Sequence, residues 1–397
     1  MAAEPDTQPV ANERASEPDV ASPALVVSAS PHIHSPETIP RMMWTVTATL
    51  VPALVWAVYV FGPRVLGLTG IAIVSALVTE ALVQKMRGKP ITLHDGSAFL
   101  TGLLVAFVLP AHTPWYVPMT ASIFGIAVVK QLFGGLGCNV WNPALAGRAF
   151  VLAAWAPLVV ANASWPTAFS YQKAARQAGA AVAAKPGEAA GVDAVTGPTP
   201  LSKVRDRLRE FNSGRRGTVA APKSAEEAAK VLTRLQEEEA TPLDDLYFGR
   251  CGGCIGEVSA AALFVGGIVL IALRYIKWQV PAFFIGTVAL LSWALPIPVQ
   301  GDPTRYTLWF AGHPAFEIFA GGLFLGAFFM ATDMVTSPVT TRGQIIFAIG
   351  CGLLTVLIRR YGGYPEGVCY AILLMNTATP IINRYTKSRV FGQRAKK

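Results

Sequence analysis

The apolar positions of this chain fall in long unbroken runs, not in alternation and not in one-sided helical stripes. They cover 42–61, 66–86, 98–110, 115–133 and 143–160, then 256–273, 280–295, 315–330, 344–358 and 367–382. Most come near the ~20 residues a helix needs to cross hydrocarbon, and some are shorter. A helix apolar on all sides belongs in a protein core or in lipid. The pattern therefore predicts an all-α polytopic membrane protein of about ten transmembrane helices, five and five. The run 98–110 sits between Asp95 and Pro110, and the run after Asn142 starts on Pro143, a helix-initiating residue. The last run likewise follows Tyr364-Pro365-Glu366. Interrupted segments at matching places of two halves mark internal repeats. Gly102-Leu103-Leu104 against Gly322-Leu323-Phe324 adds a local likeness. Five is odd, so two consecutive five-helix repeats must be inverted.

Lys and Arg in short loops set the orientation. With the N-terminus inside, Lys85, Arg87, Lys89, Lys130, Arg274, Lys277, Arg342 and the basic C-terminal tail fall inside. Arg64, Arg305, Arg359 and Arg360 fall outside. Both termini are expected in the cytoplasm, which puts the long polar stretch between the halves on the outer face. The expected organisation is a disordered cytoplasmic tail and entry segment at 1–40 and a first repeat at 41–161. An outer loop follows at 162–250, then a second repeat at 251–384 and a basic cytoplasmic tail at 385–397. The first thirty residues lack the basic start and apolar segment of a signal peptide. Within the loop, residues 224–240 read as a solvated helix, with Ser224 as cap and Glu227 completing a capping box.

Composition agrees with that reading. Of 397 residues, 52% are hydrophobic and 14% charged, against roughly 25% charged in a soluble domain. An ordinary cytosolic enzyme is excluded. The formal charge of +9 gathers in the C-terminal tail and beside apolar runs. That placement serves topology and lipid headgroups, not nucleic acid. Five cysteines make no disulfide scaffold. Cys251 and Cys254 form a CxxC with no second pair nearby, which leaves an inert pair, an outer-face disulfide or, least favoured, a metal site.

Candidate chemistry lies in a few short motifs. Asp193-Ala194-Val195-Thr196-Gly197-Pro198-Thr199-Pro200 is a turn presenting two threonine hydroxyls on the outer loop. Gly134-Gly135-Leu136-Gly137-Cys138-Asn139-Val140-Trp141-Asn142-Pro143 runs into a helix that carries Arg148. Later come Gly253-Cys254-Ile255-Gly256-Glu257-Val258-Ser259, Met330-Ala331-Thr332-Asp333 and Tyr364-Pro365-Glu366-Gly367. Glu80, Glu257, Glu317, Asp333 and Glu366 are acids in or beside apolar runs, where ionisable groups are functional candidates by default. Asp333 and Glu257 rank first as ion-path candidates, because each sits at a Gly- or Pro-marked break.

This ordered set resembles the family that unites the RnfD component of the Rnf electron-transport complex with the NqrB component of the Na⁺-pumping NADH:quinone oxidoreductase. The likeness runs from Pro31 to about Gly392. Pro31-His32-Ile33, Ser337-Pro338 before Arg342-Gly343, and Ser388-Arg389-Val390-Phe391-Gly392 lean to the Rnf side. The resemblance implies a membrane flavoprotein subunit of an ion-translocating ferredoxin:NAD oxidoreductase. It implies FMN esterified through its phosphate to Thr199 by a separate flavin transferase, with Asp193, Thr196 and Gly197 as the recognition frame. The family usually has Ala before that threonine, and Pro198 stands here. The resemblance also implies a second, noncovalent flavin (riboflavin) near Asn139 and Asn142. Arg148 would face that flavin or pair with a carboxylate. Partners would be the other components of the Rnf complex, including a second covalent-FMN protein, and membrane lipids, with no nucleic acid. The place would be the bacterial inner membrane, flavin loop outside. NAD and ferredoxin would bind elsewhere, since no G-x-G-x-x-G follows a strand and no iron–sulfur cysteine framework exists. No catalytic residue and no metal ligand is assigned. The alternatives are a component of the quinone-reductase type and, from another class, a urea-channel-like passive transporter.

Overall fold

The apolar runs fold as helices, the solution that pairs every backbone polar group within one segment. The computed structural model describes residues 37–160, 163–164, 196–197, 200–213, 222, 224–239, 242–249, 251–300, 305–362 and 366–387. The first half holds α1 (Ile39–Phe61), α2 (Arg64–Met86), α3 (Ser97–Phe107) and α4 (Tyr116–Phe124). The last continues as a π-helix over Gly125–Gln131. Then come α5 (Pro143–Ala154) and the short α6 (Ala156–Val160), offset at Trp155. The connecting stretch gives β1 (Ala163–Ser164), β2 (Thr196–Gly197), α7 (Pro200–Asn212), α8 (Ala225–Glu239) and α9 (Leu243–Phe248). The second half holds α10 (Ala260–Ala272), α11 (Gln279–Ala294), β3 (Ile297–Gln300), β4 (Arg305–Leu308) and α12 (Pro314–Phe319). It closes with α13 (Leu323–Leu325) running into a π-helix over Gly326–Met330, then α14 (Thr341–Tyr361) and α15 (Val368–Tyr385).

The fold is that of a polytopic helical membrane protein. α1, α2 and α14 are long and apolar enough to cross a bilayer, and α3, α5, α10 and α11 are shorter apolar helices. Val55 and Tyr59 on α1 and Val74 and Val78 on α2 are exposed, the arrangement a lipid-facing surface requires. Besides the offset at Trp155, the expected run 315–330 is broken into two short helices and a π-helix. The chain turns at Ala320, Gly321 takes φ +74°, and only glycine holds that conformation without strain.

α1 packs on α10, and α5 on α15; α2 packs on α3 and α4, and α11 on α14, which also packs on α15. The α4–α5 crossing is closed by two glycines. A Cβ on Gly147 would stand 2.4 Å from the Ala121 carbonyl oxygen, and one on Gly125 would stand 2.5 Å from that of Pro143. Small residues let membrane helices approach this closely.

The connecting stretch builds a core outside the bundle. Phe211 of α7 and Ala228 and Leu232 of α8 pack on Ile297 and Val299 of β3. β3 and β4 pair antiparallel, Ile297 opposite Leu308. The hydrophobic pattern predicts no strands here. The apolar β3 residues continue the α11 run directly, which hides their period of two. The expected helix after Ser224 is present, and the Ser224 hydroxyl accepts the Glu227 N–H at 3.2 Å.

Candidate functional site

Two polar sites lie at opposite ends of the helices. The first is a cavity of about 130 Å³ where α1, α3 and α5 begin and where α10 and both π-helices end. Val46, Leu104, Phe328 and Phe329 give it apolar walls, and Asn139, Asn142, Thr332 and Asp333 form a polar edge. The fold thus brings Asp333, distant in the sequence, to the Asn139–Asn142 motif. Asn142 caps α5, its Oδ1 accepting from Ala144 N–H at 3.0 Å and Leu145 N–H at 3.3 Å. Its Nδ2 donates to Met330 O at 3.5 Å. Asn139 Nδ2 donates to Trp141 O at 3.0 Å. Asp333 accepts from Val335 N–H at 3.3 Å and Thr336 Oγ1 at 3.2 Å.

The same cavity reveals a residue that sequence reasoning misses. The charge count treats Lys130 as one more inner-loop cation. It is 2% exposed, on the first π-helix, and its Nζ reaches both Glu80 oxygens at 2.8 Å and Ser97 Oγ at 2.6 Å. Gln131 Nε2 adds a bond to Glu80 Oε1 at 2.9 Å. Glu80 itself is visible in sequence as an acid in an apolar run. Its partner is not, because the two lie on different helices.

The second site lies where α10 and α15 begin, and Arg148 reaches it from the middle of α5. Arg148 forms an ion pair with Glu366, and its Nη2 stands 3.7 Å from Cys254 Sγ. Glu257 Oε2 accepts the Cys254 N–H at 3.3 Å. Of the two alternatives for Arg148, this geometry is the carboxylate pair. Cys251 and Cys254 carry no disulfide. Burial, with Glu257 and Asp245 adding, pushes the Cys251 thiol up to about 12, so it is a poor nucleophile.

Pro200, at the end of the threonine motif, lies at this second site. Thr196 and Gly197 pair antiparallel with Ser164 and Ala163. Asp193, Pro198 and Thr199 lie outside the described residues. Pro200 opens α7 and lines a small cavity with Leu201, Glu257, Phe319 and Glu366. A file of rings leads from there toward the first site. Phe319 stacks on Phe324 (centroids 5.7 Å, planes 9° apart), and Phe324 on Phe328 (6.0 Å, 11°). Phe328 lines the first cavity.

Fold and site together define an integral membrane protein that keeps buried polar groups at both ends of a helical bundle. The chain belongs to the NQR2, RnfD, RnfE family, which it matches over residues 26–392. It is 41% identical over 374 residues to the D subunit of the proton-translocating ferredoxin:NAD(+) oxidoreductase complex of Clostridium ljungdahlii, covering 93% of this chain and 97% of that one. It is also 41% identical to the D subunit of the Na(+)-translocating ferredoxin:NAD(+) oxidoreductase complex of Acetobacterium woodii, covering 93% and 95%. The D subunit of the ion-translocating oxidoreductase complex of Stutzerimonas stutzeri is 35% identical over 90% of this chain and 94% of its own.

Proposed function

We propose that this chain is the D subunit of an ion-translocating ferredoxin:NAD oxidoreductase and relays electrons through flavin held at its two ends. The observation that carries this reading is the likeness to complex components named for that activity over nine-tenths of the chain, 93% in the first two relatives. The partners are then the other components of the complex, including one with its own covalent FMN, a flavin transferase and the lipids of the bacterial inner membrane.

The ten-helix inverted repeat belongs to this proposal. It is supported by matched contacts: α2 on α4 answers α11 on α14, and α4 on α5 answers α14 on α15. The paired crossings α1 on α10 and α5 on α15 join like elements of the two halves. The boundaries 41–161 and 251–384 follow from it. In that arrangement the first cavity lies at the cytoplasmic face and the threonine turn at the outer face.

FMN would be tethered at Thr199, with Asp193, Thr196 and Gly197 framing the hydroxyl for the transferase. The first cavity fits part of a noncovalent flavin, with apolar walls for a ring and Asn139 and Asn142 at its edge. Its volume is below the ~300 Å³ of a full ligand pocket, so the flexible Met42 and Met43 on its wall would give way. Flavin supplies electron carriage when bound; the protein holds and orients it. Asp333 and Glu257, one at each site, remain the ion-path candidates. The test is in-gel fluorescence of the denatured protein made together with a flavin transferase. Thr199→Val should abolish it while leaving the protein inserted. Fluorescence that persists, or peptide mapping to Thr196, would refute the tether.

A further inference from the structure

Among the described residues, the outer-end cluster has one cation for two acids. Glu257 is set rigidly. It closes a tight turn after Cys254, the Ile255 N–H donates to Leu109 O at 3.0 Å, and a Cβ on Gly256 would meet Phe107 Cβ at 2.7 Å. One Glu257 oxygen accepts the Cys254 N–H. The other, Oε1, is buried with no donor among the described residues. The Glu366 carboxyl lies near that of Glu257: one oxygen of each acid and the Cys254 sulfur stand within 4.8 Å of one another.

Among the described residues, the other charged or titratable neighbours have the following partners. Arg148, from α5, is spent on Glu366. Arg359, at the end of α14, is held by Glu317 at 3.0 Å and by Ala320 O at 3.1 Å. Cys369 of α15 points its thiol at Leu145 O. Cys251 and Asp245 lie on the approach from α9 and add no positive charge. Two carboxylates with oxygens within 4.8 Å, largely shielded from water and facing one guanidinium, repel each other, and the pair favours holding one proton. They can bond to each other only through a hydrogen. A hard metal cation seeks about six or more oxygen ligands, and here the guanidinium occupies one side and a thiol another.

We propose that Glu257 and Glu366 form a proton-binding site at this end of the molecule: one proton shared between the two carboxyls, clamped by Arg148, and exchanged through the small cavity beneath Pro200. The proposal rests on the ion-translocating reading above and names the ion held here as a proton, not sodium. Glu257 Oε1 carries the hydrogen. When the O–H bond breaks, the proton leaves by the cavity that Glu257 shares with Pro200, Leu201 and Gly321, and Arg148 balances the charge left behind.

Infrared difference spectra of the purified complex test this directly. At neutral pH the carbonyl stretch of a protonated carboxyl should appear, shift down in D₂O, vanish as pH rises, and be lost in Glu257→Gln. Sodium chloride at fixed pH should leave it in place. A band of full intensity in Glu257→Gln, or one removed by sodium, would overturn the assignment. If Glu257→Gln does not assemble, Cys254→Ser decides: it keeps both acids but changes the group beside them, so the band must move, and an unmoved band overturns the proposal. The band is read with or without bound flavin, so failure of the flavin tether and failure of this site are separate results.

Discussion

Asn142 shows how one residue can look like chemistry and be architecture as well. Its sequence motif offers it as a flavin partner, and in the structure its oxygen is taken by two backbone N–H groups of α5. Asn142→Ala should therefore lose a helix cap, about 1 kcal/mol, and lower the melting temperature whether or not flavin is bound. Asn139 makes one bond, to Trp141 O, and is the cleaner probe. Asn139→Leu should cut the ratio of acid-released flavin to protein about two- to tenfold, the effect of one lost amide bond. A constant ratio in folded protein would remove the second flavin from this cavity. Pro198→Ala should raise the fraction of protein labelled at Thr199, because proline fixes φ in the turn that the transferase must read. The residue types at both sites were legible in the sequence. Their division of labour between cap, ion pair and ligand was not, since it depends on which backbone groups come within reach.

Among the elements, the two π-helices decide most. Each ends at the first cavity, and the first turns Lys130 inward to meet Glu80. Lys130→Met should destabilise the protein by about 3–5 kcal/mol, the consequence of leaving a buried carboxylate without its cation. Adding Glu80→Gln should recover much of that loss. Thermal unfolding of the purified protein in detergent measures both, and a single variant as stable as wild type would show that the pair carries no such weight. No sequence signal announced these helices. An extra residue per turn leaves the hydrophobic run unchanged, so a run-based reading sees only a long apolar segment. The break at Gly321 was hidden for the same reason, whereas α5 and the Ser224-capped helix, which carry explicit start signals, lie where expected.

At the scale of the molecule, Lys and Arg counts predict both termini inside. A reporter active only outside the cytoplasm should work when fused near Gly214 and fail after Gly392; the opposite result would invert the arrangement and move the threonine turn to the cytoplasm. Several of those basic residues also bond to carbonyls near the helix ends. Arg64 Nη2 donates to His112 O at 3.0 Å, Lys89 Nζ to Gly134 O at 3.1 Å, and Arg360 Nη2 to Ser292 O at 2.8 Å. These basic side chains thus also satisfy backbone carbonyls at loops and helix ends. That the chain is built of long apolar helices was readable from the hydrophobic pattern alone. Their contacts were not, because they are made by glycines and backbone atoms that leave no periodic trace.

The shared core of α7, α8 and β3 bears on the order in which the molecule is made. The helices that follow the threonine turn are synthesised midway along the chain. The strand that covers their apolar side emerges only after α10 and α11. Until then the helices of Phe211 and Leu232 have only each other to pack against. The lobe beside the turn is therefore completed late, after most of the bundle is in place, and a transferase that requires that lobe as its docking platform would act only on a chain that has nearly finished assembling.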